Sequence, residues 1–180
     1  MTSPRTVKEM QRLTGRITAL NRFVSKATDK CLPFFKTLKQ AFQWTAKCEV
    51  AFQNLKEYLA KPSLLSPSIE GEDLFFYLAI SQITVNSALI RGDSKVQRPV
   101  YYTSQAFQGA EVKYSLIEKM TFSLIVSSRK LCPYFQAHTI IVITDQPIRK
   151  AISKPNAAGC LVQWAVELSQ FDIKQARNSN

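Results

Sequence analysis

Six cations near the start of the chain carry the clearest chemical signal. Arg5, Lys8, Arg12, Arg16, Arg22 and Lys26, wound as a helix, fall within an arc of about 120°. Val7, Met10, Leu13, Ile17, Leu20 and Val24 fill a separate arc of about 140°. A helix built this way packs along one side and is cationic along the other, which suits the backbone of a polyanion. The charge is regional as well as large: residues 1–62 hold 12 Lys+Arg against 4 Asp+Glu, residues 63–180 hold 12 against 9, and the net charge is +11. Nucleic acid is the first partner class this suggests and an anionic membrane surface the second; a solvated basic face is the plain alternative.

Other reactive groups are sparse. Cys31, Cys48, Cys132 and Cys160 lie far apart with no CxxC pair, a spacing that fits neither a zinc site nor a small disulfide framework, so reduced thiols in an intracellular protein are expected. His138 is the only histidine and lies before a strand, where a surface or strand-edge role outweighs a catalytic one. No glycine-rich loop could cradle a phosphate. Trp44, Tyr101, Tyr102 and Trp164 could stack on bases, yet their spacing is also that of core residues. No apolar run approaches the roughly 18 residues needed to cross a bilayer, so no membrane partner is expected. Nothing resembles a secretory signal, although the Arg-rich, amphipathic first 26 residues faintly resemble a mitochondrial transit peptide.

The elements that must carry these groups follow from spacing. Ser3-Pro4 reads as a helix start, a capping hydroxyl followed by proline at the first helical position, and the helix is expected to fray before Pro33. A second helix follows Thr45, with Cys48, Ala51, Phe52, Leu55, Tyr58 and Leu59 at helical spacing, and the prolines at 62 and 67 end it. The main boundary is expected between about 40 and 62. Leu74–Ile80 reads as a central strand covered on both faces. Val85–Ile90 and Arg98–Thr103 complete an antiparallel meander. A helix is expected from about Glu111 to Leu131, a buried strand over Thr139–Thr144, a short helix from Gln146-Pro147, a last helix from Gly159, and a strand beginning at Phe171. The order β-β-β-α-β-α-β implies an α/β domain with a mixed, five-stranded sheet.

That order is the ribonuclease H topology, and several phrases sharpen the likeness. Lys8–Val24, Lys113-Tyr-Ser-Leu-Ile-Glu-Lys119, Arg129-Lys-Leu-Cys-Pro-Tyr-Phe135 and Val142-Ile-Thr-Asp-Gln-Pro-Ile148 resemble gypsy-type LTR retrotransposon polyproteins. The resemblance implies that residues 1–40 are the end of a reverse-transcriptase thumb, 41–68 a connection helix and linker, and 69–180 a ribonuclease-H-like domain truncated before its last catalytic segment. The family is an RNA-directed DNA polymerase and ribonuclease H, an endonuclease that hydrolyses the RNA strand of RNA–DNA hybrids with two Mg²⁺ ions held by four carboxylates. Asp and Glu are needed there because hard cations prefer oxygen ligands.

Carried over residue by residue, that site is depleted. Aligning Tyr77-Leu-Ala-Ile-Ser81 with the family's Thr-Asp-Ala-Ser phrase puts Ala79 at the first Asp. The nearest upstream acids, Glu72 and Asp73, are roughly 20 Å away along a strand. Met120 stands at the helical Glu, and Glu118, rotated by about 200°, cannot simply replace it. Asp145 matches the third carboxylate, with a helix-capping role favoured over a metal-binding one. The fourth lies beyond Asn180, and the polymerase fingers and palm are not in this chain. The expected function is a catalytically degenerate connector with no bound cofactor, holding RNA–DNA hybrid or duplex through Arg5, Lys8, Arg12, Arg16, Arg22 and Lys26. The alternative is an active ribonuclease H using Asp145, two Mg²⁺ ions and unorthodox partners such as Glu118. A third possibility is a protein–protein module whose Met10, Leu13 and Ile17 pack on the missing polymerase portion of the polyprotein. Cytoplasm and nucleus are not distinguished.

Overall fold

The computed structural model describes residues 3–39, 43–61, 64–92, 96–148 and 159–177. Three helices come first: α1 (Val7–Ala19), α2 (Ala27–Lys39) and α3 (Ala46–Ala60). Strands β1 (Leu74–Ile80), β2 (Thr84–Arg91) and β3 (Arg98–Ala106) follow, then α4 (Leu116–Lys130), α5 (Cys132–Ala137), β4 (Ile140–Ile143), α6 (Gly159–Leu168) and β5 (Ile173–Ala176).

The long first helix expected from the periodicity is instead two helices around a corner. Its cap is Thr6, whose Oγ1 accepts the Glu9 amide at 3.2 Å, and not Ser3, whose hydroxyl donates to Glu49 at 2.8 Å. The chain turns through a 3₁₀ segment, Asn21–Phe23, and Lys26 takes a left-handed φ of 53°. The corner folds α1 back so that Met10, Leu13 and Ile17 share one core with Cys31 and Phe34 of α2 and Phe52 of α3. Those apolar residues are therefore already covered within the chain, contrary to the expectation that they await polymerase. Helix α2 also runs through Pro33. The cost of an interior proline, about 3 kcal/mol, is offset by the complete burial of Phe34 and near-complete burial of Cys31 on either side of it. Thr45 caps α3 as expected, accepting the Cys48 amide.

The sheet is mixed, with strand order β3-β2-β1-β4-β5. β1–β2 and β2–β3 are antiparallel, and β1–β4 and β4–β5 are parallel. Alternation gives the two faces different company. Leu74 and Phe76 of β1, Leu89 of β2 and Ile140 of β4 form a second core with Ile125 of α4 and Phe135 of α5. The opposite face of β2 and β3 receives the start of α2. The expected helix over Glu111–Leu131 divides at Tyr114 into a 3₁₀ turn, Gly109–Lys113, and α4. It divides because Ser115 begins α4 with a capping box, its side chain accepting the Glu118 amide while Glu118 accepts the Ser115 amide. β3 runs three residues beyond the expected Thr103. The short helix expected after Pro147 begins at Ile148, and residues 149–158 fall outside the described ones. Cys31, Cys48 and Cys132 are free thiols. Among the described residues no helix is long and apolar enough to cross a membrane.

Candidate nucleic-acid interface and candidate carboxylate site

Lys8, Arg12 and Arg16 recur every four residues along α1, and all three are exposed. Arg5 precedes the cap. Its backbone amide, not its guanidinium, donates to Glu9. Arg22 and Lys26 lie beyond the helix, on the corner, so the six cations do not make the single continuous stripe that the spacing suggested. Arg22 is pinned there: its guanidinium carbon is 4.9 Å from the ring centre of Phe23 and 5.2 Å from that of Tyr101 on β3, a cation–π arrangement.

Three of the four acids of this region, Glu9, Asp29 and Glu49, are engaged elsewhere; Glu57, on α3, is exposed. Glu9 caps α1. Asp29 accepts from Thr84 at 2.5 Å and Asn86 at 2.7 Å on β2. Glu49 accepts from Ser3, Trp44 and Gln53, and those hydrogen bonds, that of Ser3 foremost, hold its carboxyl below the usual carboxylate range. Ion pairs among the described residues are confined to Arg91–Glu72 and Arg129–Glu167. Among the described residues, none of the six cations forms an ion pair with a carboxylate.

The carboxylate site is built at the C-terminal ends of β1 and β4. Tyr77 and Ile143 form the last pair of the parallel ladder, and Ala79 and Asp145 each lie two residues beyond it. Both are exposed. Met120, in contrast, is only 7% exposed and belongs to the core beneath the sheet, whereas Ala79 alternates onto the face of Phe75 and Tyr77. Glu118 is held in its capping box, one carboxylate oxygen taking both the amide and the hydroxyl of Ser115 at 2.8 Å. At the turn after β4 the Thr144 hydroxyl accepts the Gln146 amide at 3.1 Å. Among the described residues no three His, Cys, Asp or Glu side chains gather. The residues present do not fit a pair of divalent ions: one exposed carboxylate cannot supply the several oxygens each requires.

The remaining sequence candidates are structural. His138 is buried rather than at the surface, with Nδ1 3.1 Å from the Glu72 carbonyl. Trp44 stacks on Phe34 and meets Phe52 edge-on, and Trp164 packs against Tyr114 and Phe122. Spacing gave no warning of two features. Lys119 is buried, its ammonium donating to the Gln82 carbonyl at 3.0 Å beside the Phe107 ring. Asp29, lying on a helix in the basic region, reaches the sheet.

Two antiparallel hairpins continued by parallel strands, with helices on both faces, define the ribonuclease-H-like class of fold. The chain belongs to the family of RNase H-like domains found in reverse transcriptases, which matches residues 44–142. It is similar to the retrovirus-related Pol polyprotein from transposon 412 of Drosophila melanogaster, 25% identical over 155 residues, covering 84% of this chain and 12% of that protein. It is also similar to the transposon Tf2-3 polyprotein of Schizosaccharomyces pombe, 24% identical over 185 residues, covering 95% of this chain and 13% of that one. The chain thus spans about one eighth of the length of these relatives. Foamy viral protease-reverse transcriptase shares the fold. In its complex with dsDNA the TM-score is 0.81 at 20% identity, over all of this chain and 40% of that one. In its complex with RNA/DNA hybrid it is 0.81 at 21% identity, over 99% and 26%.

Proposed function

We propose that this chain is a catalytically silent part of a gypsy-type retrotransposon polyprotein, with residues 1–40 ending a polymerase thumb, 41–68 connecting, and 69–180 forming the ribonuclease-H-like domain. Its retained capability is sequence-independent binding of RNA–DNA hybrid or duplex, and its further partner is the polymerase portion of the polyprotein. The observation that carries this reading is the exposed row Lys8, Arg12 and Arg16, none of which has an ion-pair partner among the described residues. Unpaired cations are free to replace the counterions of a phosphate backbone, which is the main source of sequence-independent affinity. Foamy viral reverse transcriptase, which shares the fold, is known in complex with both kinds of duplex. Silence of the nuclease is supported by the residues at the two positions where the resemblance implies metal-binding carboxylates, since neither Ala79 nor Met120 offers an oxygen to a cation.

The test is the affinity of the full chain for a labelled hybrid as salt is raised. Wild type should lose affinity steeply, and reversing Arg12 and Arg16 to Glu should lower the slope of log affinity against log salt by about two. Salt-insensitive binding by the wild type would overturn the reading.

A further inference from the structure

The helical core and the sheet core meet through polar groups. On the sheet, Ala79, Asn86 and Ser104 form a row across β1, β2 and β3, each paired with the next. Helix α2 sets its first turn on this row. The Asp29 carboxylate accepts from Asn86 Nδ2 at 2.7 Å and from the neighbouring Thr84 hydroxyl at 2.5 Å. Asn86 Oδ1 accepts from the Ser104 hydroxyl at 2.6 Å, and the Ser104 hydroxyl oxygen in turn accepts the Thr28 amide at 2.8 Å. Asn21, at the corner, donates to the Ser104 carbonyl at 3.2 Å. Its own Oδ1 is buried with no hydrogen-bond partner among the described residues.

Each donor in the chain Thr28–Ser104–Asn86–Asp29 has one acceptor. The Thr28 amide is one of the first-turn amides that no carbonyl of its own helix can satisfy. Ala79 makes room for the arrangement. A carboxylate at 79 would stand directly across from Asn86, Cβ to Cβ at about 5 Å, and compete with Asp29 for its amide. Interfaces made of hydrogen bonds between separately cored parts hold orientation at modest cost and open without unfolding either part.

We propose that Asp29 is a positioning residue for nucleic-acid binding: it latches the cationic helical layer onto the sheet, so that α1 and the Arg22 corner on β3 meet the duplex as one surface. The binding half of this rests on the nucleic-acid reading above; the latch itself does not.

The variants are Asp29→Asn, and Asp29→Asn combined with Asn86→Asp. The first leaves a single acceptor oxygen at position 29 for the two donors, the Thr84 hydroxyl and Asn86 Nδ2, that Asp29 serves. The second exchanges donor and acceptor, restores every hydrogen bond and keeps the wild-type net charge. In the full chain, amide hydrogen exchange at Thr28 should be protected in wild type and in the double variant, and should quicken at least tenfold in Asp29→Asn. Hybrid affinity should fall several-fold in Asp29→Asn, with a shallower salt slope, and return in the double variant. Removing a carboxylate for purely electrostatic reasons would tighten binding to a polyanion, and simple destabilisation would lower the binding-competent fraction without changing the slope. Unchanged protection at Thr28 in Asp29→Asn overturns the latch. Lost protection with equal or tighter hybrid binding overturns the positioning role. Wild-type binding that ignores salt overturns the underlying nucleic-acid reading, while exchange at Thr28 still decides the latch.

Discussion

Replacing Met120 by Ala would remove a side chain only 7% exposed from the core that holds Leu74, Phe76 and Leu124. Truncations of this kind cost about 2–5 kcal/mol, depending on how far the site collapses. Asp145 is exposed and makes no hydrogen bond through its carboxylate among the described residues, so Asp145→Ala should change stability by no more than about 0.5 kcal/mol. Urea denaturation of the two variants checks the contrast. Equal losses would mean that Asp145 is held by contacts that its exposure conceals. The helix carrying Met120 was legible in the sequence, because Ser115 and Glu118 in the Tyr-Ser-Leu-Ile-Glu-Lys-Met phrase have the spacing of a capping box. Lys119 was not legible. An ammonium is buried there only because the turn between β1 and β2 offers the Gln82 carbonyl at 3.0 Å, a long-range partner that no local spacing announces.

Element boundaries rest on caps, and α4 offers the sharpest test. Ser115→Ala removes the hydroxyl that accepts the Glu118 amide and should cost about 1 kcal/mol. Glu118→Gln preserves the reciprocal half of the capping box and should cost little. If Glu118→Gln instead altered metal-dependent behaviour, the helix-capping role would be incomplete. Chemical denaturation gives the first pair of values and Mn²⁺ titration the second. The sheet was readable because strand order is encoded in short runs of β-branched and aromatic residues with tight turns between them. The first helix was misread for a definite reason: Leu20 and Val24 continue the apolar phase of Met10, Leu13 and Ile17, so periodicity alone cannot see the corner at Asn21–Phe23. Asn21 is the residue that could have signalled it, since its short polar side chain favours a break and here bonds the edge of β3. Pro33 misled in the opposite direction, because the burial of Phe34 outweighs its local cost.

At the scale of the whole molecule, two apolar cores divide the labour. The sheet core, with Met120 inside it, holds the ribonuclease-H-like frame, and in the proposed reading apolar groups stand there in place of metal-binding charges. Replacing a cluster of like charges by apolar groups is neutral or favourable for folding, so the proposed loss of chemistry is compatible with an intact frame. The helical core carries the exposed cations, and the contacts of Asp29 with Thr84 and Asn86 join the two. That junction could not be read from the sequence, since Asp29 is 55 and 57 residues from its partners. The central claim is that this frame no longer assembles a two-metal centre. Titrating the full chain with Mn²⁺, with and without an RNA–DNA hybrid, tests it most directly. We expect no saturable Mn²⁺ site and an intact RNA strand. Two ions bound beside Asp145, with hybrid cleavage that Asp145→Ala abolishes, would contradict the account.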